Sequence, residues 1–304
     1  MIERSNPNLT AGIKSVWRQC FTNEDERYTE FFFRLIYKPE YGYAITDRGR
    51  VVSTLCRIPH AIMFNSRVLA TSMIVGVATV PDARNKGHMH DLMDTVLDAC
   101  EHSELITLIQ AYEPALYEPY GFRMIYNRSD YTVTRLDVQR ITNVGCAYDP
   151  SPIDMLKCYS AFISRFNGFY ARDLEYFVRY KKEITAQGGK IVAYYDSKGQ
   201  IRGYASVLFG GKEATVEECI YLDSMTLNKL VNAALQERAT VHLRVSEAEN
   251  LSRLFTESKK RTFPAVLARL NDASLFSRLF STEISDVKSA FGISQQPLYL
   301  SERI

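Results

Sequence analysis

Apolar and polar positions change their period several times along this 304-residue chain, and each change marks an element. Helical spacing runs from Ile13 to Phe21 and from Glu24 to Tyr37, the second behind an Asn-Glu-Asp start signal. Strand-like runs follow: Tyr41 to Thr46, Val51 to Pro59, Ala61 to Phe64 and Val68 to Val80. Asn65-Ser66, between the last two, predicts a hairpin turn. The segment PDARNKG then punctuates the chain, and His88 to Cys100 returns to helical periodicity. A short apolar strand, Leu105 to Ile109, precedes Tyr112-Glu113-Pro114, a short helix or turn, and a strand from Phe122 to Val133.

The second half opens near Asn143, where the turn formers of GCAYDPSP mark a boundary. Helices are predicted over Pro152 to Arg165 and Asp173 to Thr185, ahead of a Gly188-Gly189 break. A hairpin follows, Lys190 to Tyr195 and Ile201 to Phe209 around Ser197-Lys198-Gly199. Then come a strand over 215–222, a helix over 225–238 and a strand over 240–245. This order repeats that of the first half without visible residue similarity, as a structural repeat would. Lys259-Lys260-Arg261 reads as a solvated helix end, and from Phe263 a helical segment leads into the tail QQPLYLSERI.

Charged residues make up 24% and hydrophobic residues 46%, which excludes disordered and fibrous classes. At this length two domains are expected. A net charge of +2 gives no electrostatic case for nucleic acid or an anionic membrane as partner. The six cysteines, Cys20, Cys56, Cys100, Cys146, Cys158 and Cys219, are scattered and form no CxxC pair, so reduced, mostly buried thiols are expected. The start MIERSNPNLT has no hydrophobic signal core, and the longest nearly apolar stretch, Val68 to Val80, is too short to span a bilayer. A cytoplasmic protein is the expectation.

The informative stretch is Gly76 to Met89, GVATVPDARNKGHM. An apolar strand ends in a basic, glycine-containing turn from which a helix starts directly. Such a turn aims backbone N–H groups into one concavity at the positive end of the helix dipole, a pyrophosphate-binding arrangement. Gly87 would allow close backbone approach, with Arg84 and Lys86 adding charge. A merely polar strand-to-helix turn is the alternative. His88 and His90 beside Asp91 and Asp94 do not make a metal site, because positions i and i+2 face different sides of a helix. There is no GxSxG elbow.

The segment VATVPDARNKGHMHDLM resembles the acetyl-CoA-binding motif of the GNAT acetyltransferases, Arg/Gln-x-x-Gly-x-Gly/Ala, with Arg84-Asn85-Lys86-Gly87-His88-Met89 in its place. Met89 departs from the family's small residue and would narrow the turn. Leu116-Tyr117-Glu118-Pro119-Tyr120-Gly121-Phe122 is similar to the family's Tyr-x-x-x-Gly-Phe element. A GNAT domain followed by a motif-less GNAT-like region resembles the enhanced intracellular survival (Eis) family of N-acetyltransferases, whose sterol-carrier-like third domain would here be truncated or missing. The resemblance implies an α+β fold of tandem GNAT-like domains, each a mostly antiparallel sheet flanked by helices. The expected boundaries are a catalytic domain over 1–140, a second domain over 141–262 and a C-terminal extension over 263–304.

By this resemblance Val77, Ala78 and Thr79 pair with the pantetheine arm. Arg84, Asn85, Lys86, Gly87, His88, Met89 and His90 hold the pyrophosphate. Tyr112 and Glu113 end the next strand beside the thioester, and Tyr117 is the general acid. The chemistry also stands alone: a phenol with a pKa of roughly 10 can protonate a leaving thiolate without being ionised at neutral pH. Tyr120 competes for the role but has the wrong spacing. For the base the resemblance implies the C-terminal carboxylate, here Ile304, with Glu113 or water as alternatives. Phe31-Phe32-Phe33, with Tyr28, Leu35 and Ile36, reads as core, or as a border of the acceptor cleft. The expected function is acetyl transfer from acetyl-CoA to a primary amine on a small molecule or lysine, in a ternary complex without metal. The chain would be a homo-oligomer or a monomer; a non-catalytic acyl-CoA sensor or assembly subunit is the alternative.

Overall fold

The computed structural model describes residues 2–4, 6–138 and 141–302. In the N-terminal half the strands are β1 (Ile2–Arg4), β2 (Gly42–Asp47), β3 (Arg50–Phe64), β4 (Arg67–Thr79), β5 (Ile106–Ile109) and β6 (Arg123–Thr134). Its helices are α1 (Thr10–Cys20), α2 (Glu26–Phe31) and α3 (His88–Glu101). There follow β7 (Cys146–Tyr148), α4 (Pro152–Ile163), β8 (Asn167–Tyr170), α5 (Leu174–Ala186), β9 (Lys190–Tyr195), β10 (Ile201–Gly210) and β11 (Glu213–Tyr221). The chain continues through α6 (Ser224–Glu237), β12 (Thr240–Ser246), β13 (Lys259–Leu270), α7 (Ala273–Phe280), α8 (Val287–Gly292) and β14 (Leu298–Tyr299).

These elements form two compact units. The first takes the chain up to Ile125, Ala265–Gln295 and the chain from Glu302; the second takes Tyr126–Pro264 and Gln296–Ser301. The expected boundaries at 140 and 262 thus differ from this partition, which falls inside β6 and β13, and the 263–304 segment is shared between the units.

In the first unit β1, β2, β3 and β4 are antiparallel neighbours, and β4 then pairs parallel with β5 through the crossover helix α3. On its far edge β5 meets the second half of β13, antiparallel from Leu267↔Ile109 to Leu270↔Ile106. The β3–β4 hairpin turns on Asn65 and Ser66, both at positive φ (45° and 62°), as a two-residue loop requires. The runs expected as two strands around Pro59 are one strand, because β2 covers β3 only as far as Cys56 and the missing proline N–H breaks no bond to it. α2 passes into a π-turn at Phe32–Ile36, closed by Tyr37 N–H to the Phe32 carbonyl at 2.8 Å. Helix α1 packs on β3 and β4, and Phe64 gathers Phe276, Phe280 and Phe291 of the C-terminal helices.

One end of the β4–β5 ladder is pinned. Glu104, whose side chain is 3% exposed, takes Arg57 at 2.8 Å, Ser72 at 2.5 Å and Thr107 at 2.7 Å. The other end opens: pairing runs from Thr71↔Ile106 to Ile74↔Ile109, whereas β4 continues to Thr79 bonded to β3. Just past the last β5 pair, Gly76 and Val77 face the single residue Leu55, a β-bulge with Gly76 at φ 63°.

The second unit has the strand order β6-β12-β11-β10-β9-β7, antiparallel except for β11–β12. That parallel pair is joined by α6, as β4 and β5 are joined by α3. The repeat expected from element order is therefore present as a topological one. The segment GCAYDPSP contributes the edge strand β7 as well as turns. β13 is a correction: Lys259-Lys260-Arg261 opens a strand, not a helix end, and polar residues followed by Pro264 hide its alternation. The tail is also paired, β14 running parallel to β8.

All six cysteines are free, and burial pushes the Cys56, Cys100 and Cys158 thiols up to about 12. Among the described residues no helix is long and apolar enough to cross a membrane.

Candidate active site

The sheet and α3 together make the site. Between Thr79 and α3 the chain turns through Pro81–Ala83, where Asp82 pairs with Arg50, whose guanidinium holds the carboxylate below its usual range. Asn85 (φ 61°) and Gly87 (φ 82°) then adopt left-handed conformations. Gly87 is the N-cap of α3 and has no side chain to bond the first turn. The early N–H groups of a helix lack intrahelical partners, so this start offers donors and a positive dipole end to an anion.

The contrast within the chain is informative. Six helices begin under a side-chain cap: Asp25, Ser151, Asp173, Asp223, Asp272 and Asp286 each accept a backbone N–H. At α6, the counterpart of α3, the cap is Asp223, bonded to Thr226 N–H at 2.8 Å and to Arg202 at 2.9 Å. A carboxylate already fills the place of an anion there.

Val77, Ala78 and Thr79 lie on the part of β4 that β5 does not cover. The Ala78 carbonyl accepts Ser53 Oγ at 3.1 Å; that of Thr79 accepts Arg84 Nε at 3.1 Å and the Cys20 thiol at 3.4 Å. Arg84 thus bends back to the strand, while Asn85, Lys86 and Gly87 are exposed and His88 and Met89 half-buried. His90, at the surface, meets Tyr120 Oη at 3.3 Å and Asp94 at 3.3 Å.

β5 ends at Ile109, so Tyr112 and Glu113 lie in the following loop and not at the strand end. Tyr112 is 83% exposed and its hydroxyl donates to Glu24 at 2.8 Å, a tie from this loop to the segment before α2. Tyr117, by contrast, is 8% exposed within the 3-10 turn Pro114–Tyr120, its ring edge-on to Phe122. Burial, with Tyr120 adding to it, pushes the Tyr117 phenol up to about 12. It is a neutral donor at any ordinary pH.

Ile304 lies outside the described residues. The nearest described residue, Glu302, accepts Gln110 Nε2 through its carbonyl at 2.5 Å, one residue past the end of β5. Sequence reasoning missed Gln110 and also the contribution of α1. Trp17 on α1 packs so closely on Gly76 that a Cβ there would lie 2.2 Å from the indole. The signal was present: a glycine inside a strand pattern marks a bulge or a close approach. Of the aromatic run, Tyr28, Phe31 and Phe32 are core, and Phe33 is half-buried against Trp17. Among the described residues no cluster of His, Cys, Asp and Glu is suited to a metal ion.

Residues 2–125 match the family model described as an acetyltransferase (GNAT) domain. The first unit is therefore similar, over residues 2–125, to a GNAT acetyltransferase domain. Over most of its length the chain has the fold of larger acyltransferases and is Eis-like in architecture. It aligns with Eis1 of Mycobacterium abscessus at TM-score 0.68 and 12% identity, covering 91% of this chain and 75% of that one. It aligns with a protein of Enterococcus faecalis V583 titled a probable N-acyltransferase at 0.74 and 15%, covering 89% and 72%. A GCN5-related N-acetyltransferase of Anabaena variabilis gives 0.72 and 14%, covering 90% and 73%. At these identities the likeness is one of fold. No curated protein sequence matches the chain.

Proposed function

We propose that the chain moves an acetyl group from acetyl-CoA to a primary amine by direct attack in a ternary complex. The observation that carries this reading is the opening of β4 from β5 next to a helix start left without a side-chain cap. The pyrophosphate sits at the turn formed by Arg84, Asn85, Lys86, Gly87, His88, Met89 and His90, where backbone N–H groups and two cations meet it. The pantetheine arm lies along Val77, Ala78 and Thr79, replacing the strand partner that β5 does not supply, with Tyr112 and Glu113 flanking it from the loop.

The amine attacks the thioester carbon, a backbone N–H of the splayed strand stabilises the oxyanion, and the C–S bond breaks. Tyr117 gives its proton to the departing thiolate. Holding both substrates in line supplies much of the acceleration. For the amine's proton the candidates are a carboxylate delivered by the tail, at Ile304, then Glu113, then water; the Gln110–Glu302 bond supports the first by bringing the tail to the end of β5. The second unit is a GNAT-like domain that has lost its cofactor turn. This reading places the protein in the cytoplasm, where acetyl-CoA is made and used.

The test is thiol release from acetyl-CoA across polyamines, aminoglycosides and lysine peptides. Amine-dependent release is expected and identifies the acceptor class. Binding of acetyl-CoA without release for any amine would refute catalysis and leave a sensor.

A further inference from the structure

The acyl end of the bound donor meets a wall that no motif announces. If the phosphates lie at residues 84–90 and the arm runs back along Thr79 toward Val77, the acyl group arrives where β4 and β5 part, at Gly76. This placement rests on the function proposed above. The bulge turns the Gly76 backbone toward α1, and Trp17 covers it: a Cβ on Gly76 would lie 2.2 Å from indole Cζ3 and 2.7 Å from Cε3. The six-membered ring of Trp17 is thus in van der Waals contact with the strand at the apex of the opening.

Trp17 has little freedom to move aside. It is 5% exposed and is backed by Phe32, Phe21 and Phe33, with ring centroids at 4.6, 5.1 and 5.6 Å. Its indole Nε1 is buried with no hydrogen-bond acceptor among the described residues, so packing alone fixes the ring. One helical turn further on, Cys20 bonds the Thr79 carbonyl at 3.4 Å and keeps α1 against the same stretch of β4.

We propose that Trp17 is a specificity-determining residue that limits the acyl donor to acetyl-sized groups. A longer chain extending from the thioester toward α1 must occupy the volume of the indole. In a packed pocket each surplus methylene changes selectivity by about 10- to 200-fold. Because Nε1 has no hydrogen-bond partner among the described residues, Trp17→Phe removes no polar contact seen there and leaves the aromatic stack largely in place.

The experiment measures kcat/KM for acetyl-, propionyl-, butyryl- and hexanoyl-CoA with the most active amine from the panel above, in the parent, Trp17→Phe and Trp17→Ala. The parent is expected to favour acetyl over butyryl by at least about tenfold. Trp17→Ala should narrow that ratio about tenfold or more, and Trp17→Phe by an intermediate factor. Trp17 is also the only tryptophan in the chain, so its emission reports on the unmodified protein. Acetyl-CoA should change that emission beyond the change caused by CoA itself. A butyryl-to-acetyl ratio within about twofold of the parent in both variants overturns the proposal, as do identical emission spectra with CoA and acetyl-CoA. A parent that releases thiol from no acyl-CoA refutes the transferase reading itself, and this inference with it.

Discussion

Tyr117→Phe removes one oxygen from a buried ring and tests the proton-donor role directly. The ring is 8% exposed and packs edge-on to Phe122, a contact that phenylalanine preserves, so stability should change by less than about 1 kcal/mol. Burial raises the phenol from roughly 10 to about 12, which makes the phenolate costlier by about 3 kcal/mol than in water. The sign follows. Donation needs the protonated form, so the contribution of Tyr117 is present at low and neutral pH and is lost as pH rises through about 12. The negative phosphates of a bound cofactor push that loss higher still. General acid catalysis contributes about 10²- to 10⁴-fold, or roughly 3–5 kcal/mol of barrier. The assay is thiol release at saturating acetyl-CoA and amine from pH 6 to about 10.5, a range chosen to bracket an ordinary phenol. The variant should lose kcat by that factor at every pH, with acetyl-CoA affinity within about threefold of the parent, because a uniform binding contact is not being removed. A kcat within threefold of the parent would refute the assignment. So would a parental alkaline fall near pH 10 that vanishes in Tyr117→Phe, because it would show an ordinary, solvated phenol.

Three further expectations concern the frame. Glu104→Ala leaves the half-buried Arg57 without its carboxylate and strips the pin that closes one end of β4–β5; a loss of about 2–3 kcal/mol is expected in denaturant unfolding. Gly87→Ala meets no atom within 4 Å but places a side chain at φ 82°, so stability should fall by only about 1 kcal/mol while calorimetry shows acetyl-CoA binding weakened severalfold. Asp223→Ala should cost about 1–2 kcal/mol through the lost cap of α6 and leave thiol release unchanged. Burial works against the Asp223 charge, but Thr226 and Arg202 win and hold its folded pKa below the ordinary value. Its contribution is therefore full above the unfolded pKa near 4 and fades as pH falls through the folded one, so melts of parent and variant should converge in acid.

Most of the first half was legible because its periods are clean. The hairpin at Asn65-Ser66, the helix from His88 and the strand before Pro81 all carry local signals, and the glycine-containing turn at residues 84–87 is itself a local device. What escaped notice depends on distant partners. β13 begins with three basic residues and carries Pro264; its second half is paired along the edge of β5. β8 has four residues and finds its partner in the tail, at β14. The end of β5 at Ile109 was legible in the residue pattern, whereas the family resemblance set Tyr112 and Glu113 at a strand end and they lie in the loop beyond it. Trp17 stood unremarked inside the helical run from Ile13 to Phe21. Its place against Gly76 follows from a bulge whose sole trace is one glycine inside a strand.

The second unit shows why a repeated topology need not repeat a site. Its parallel pair β11–β12 is joined by α6 as β4–β5 is by α3, and its ladder likewise stops early, at Val216↔Leu243. A bulge stands next to the opening here too, but the extra residue is Glu217 where the first unit has glycine and valine. The Glu217 carboxylate takes Arg128 at 2.8 Å and Arg244 at 2.7 Å, and neighbouring Glu218 takes Arg172 at 2.7 Å. Arg172 is itself held between the rings of Tyr159 and Tyr176, each 4.6 Å away. A ligand entering this opening would have to break buried ion pairs, and unpairing one such charge costs about 3–5 kcal/mol. It would then find its anion site held by Asp223. The first unit keeps both places clear with glycine, at Gly76 and Gly87, one for the approach of the indole and one for an open helix start. Binding stoichiometry follows from this difference: one acetyl-CoA per chain in calorimetry, where two would contradict the reading of the second unit.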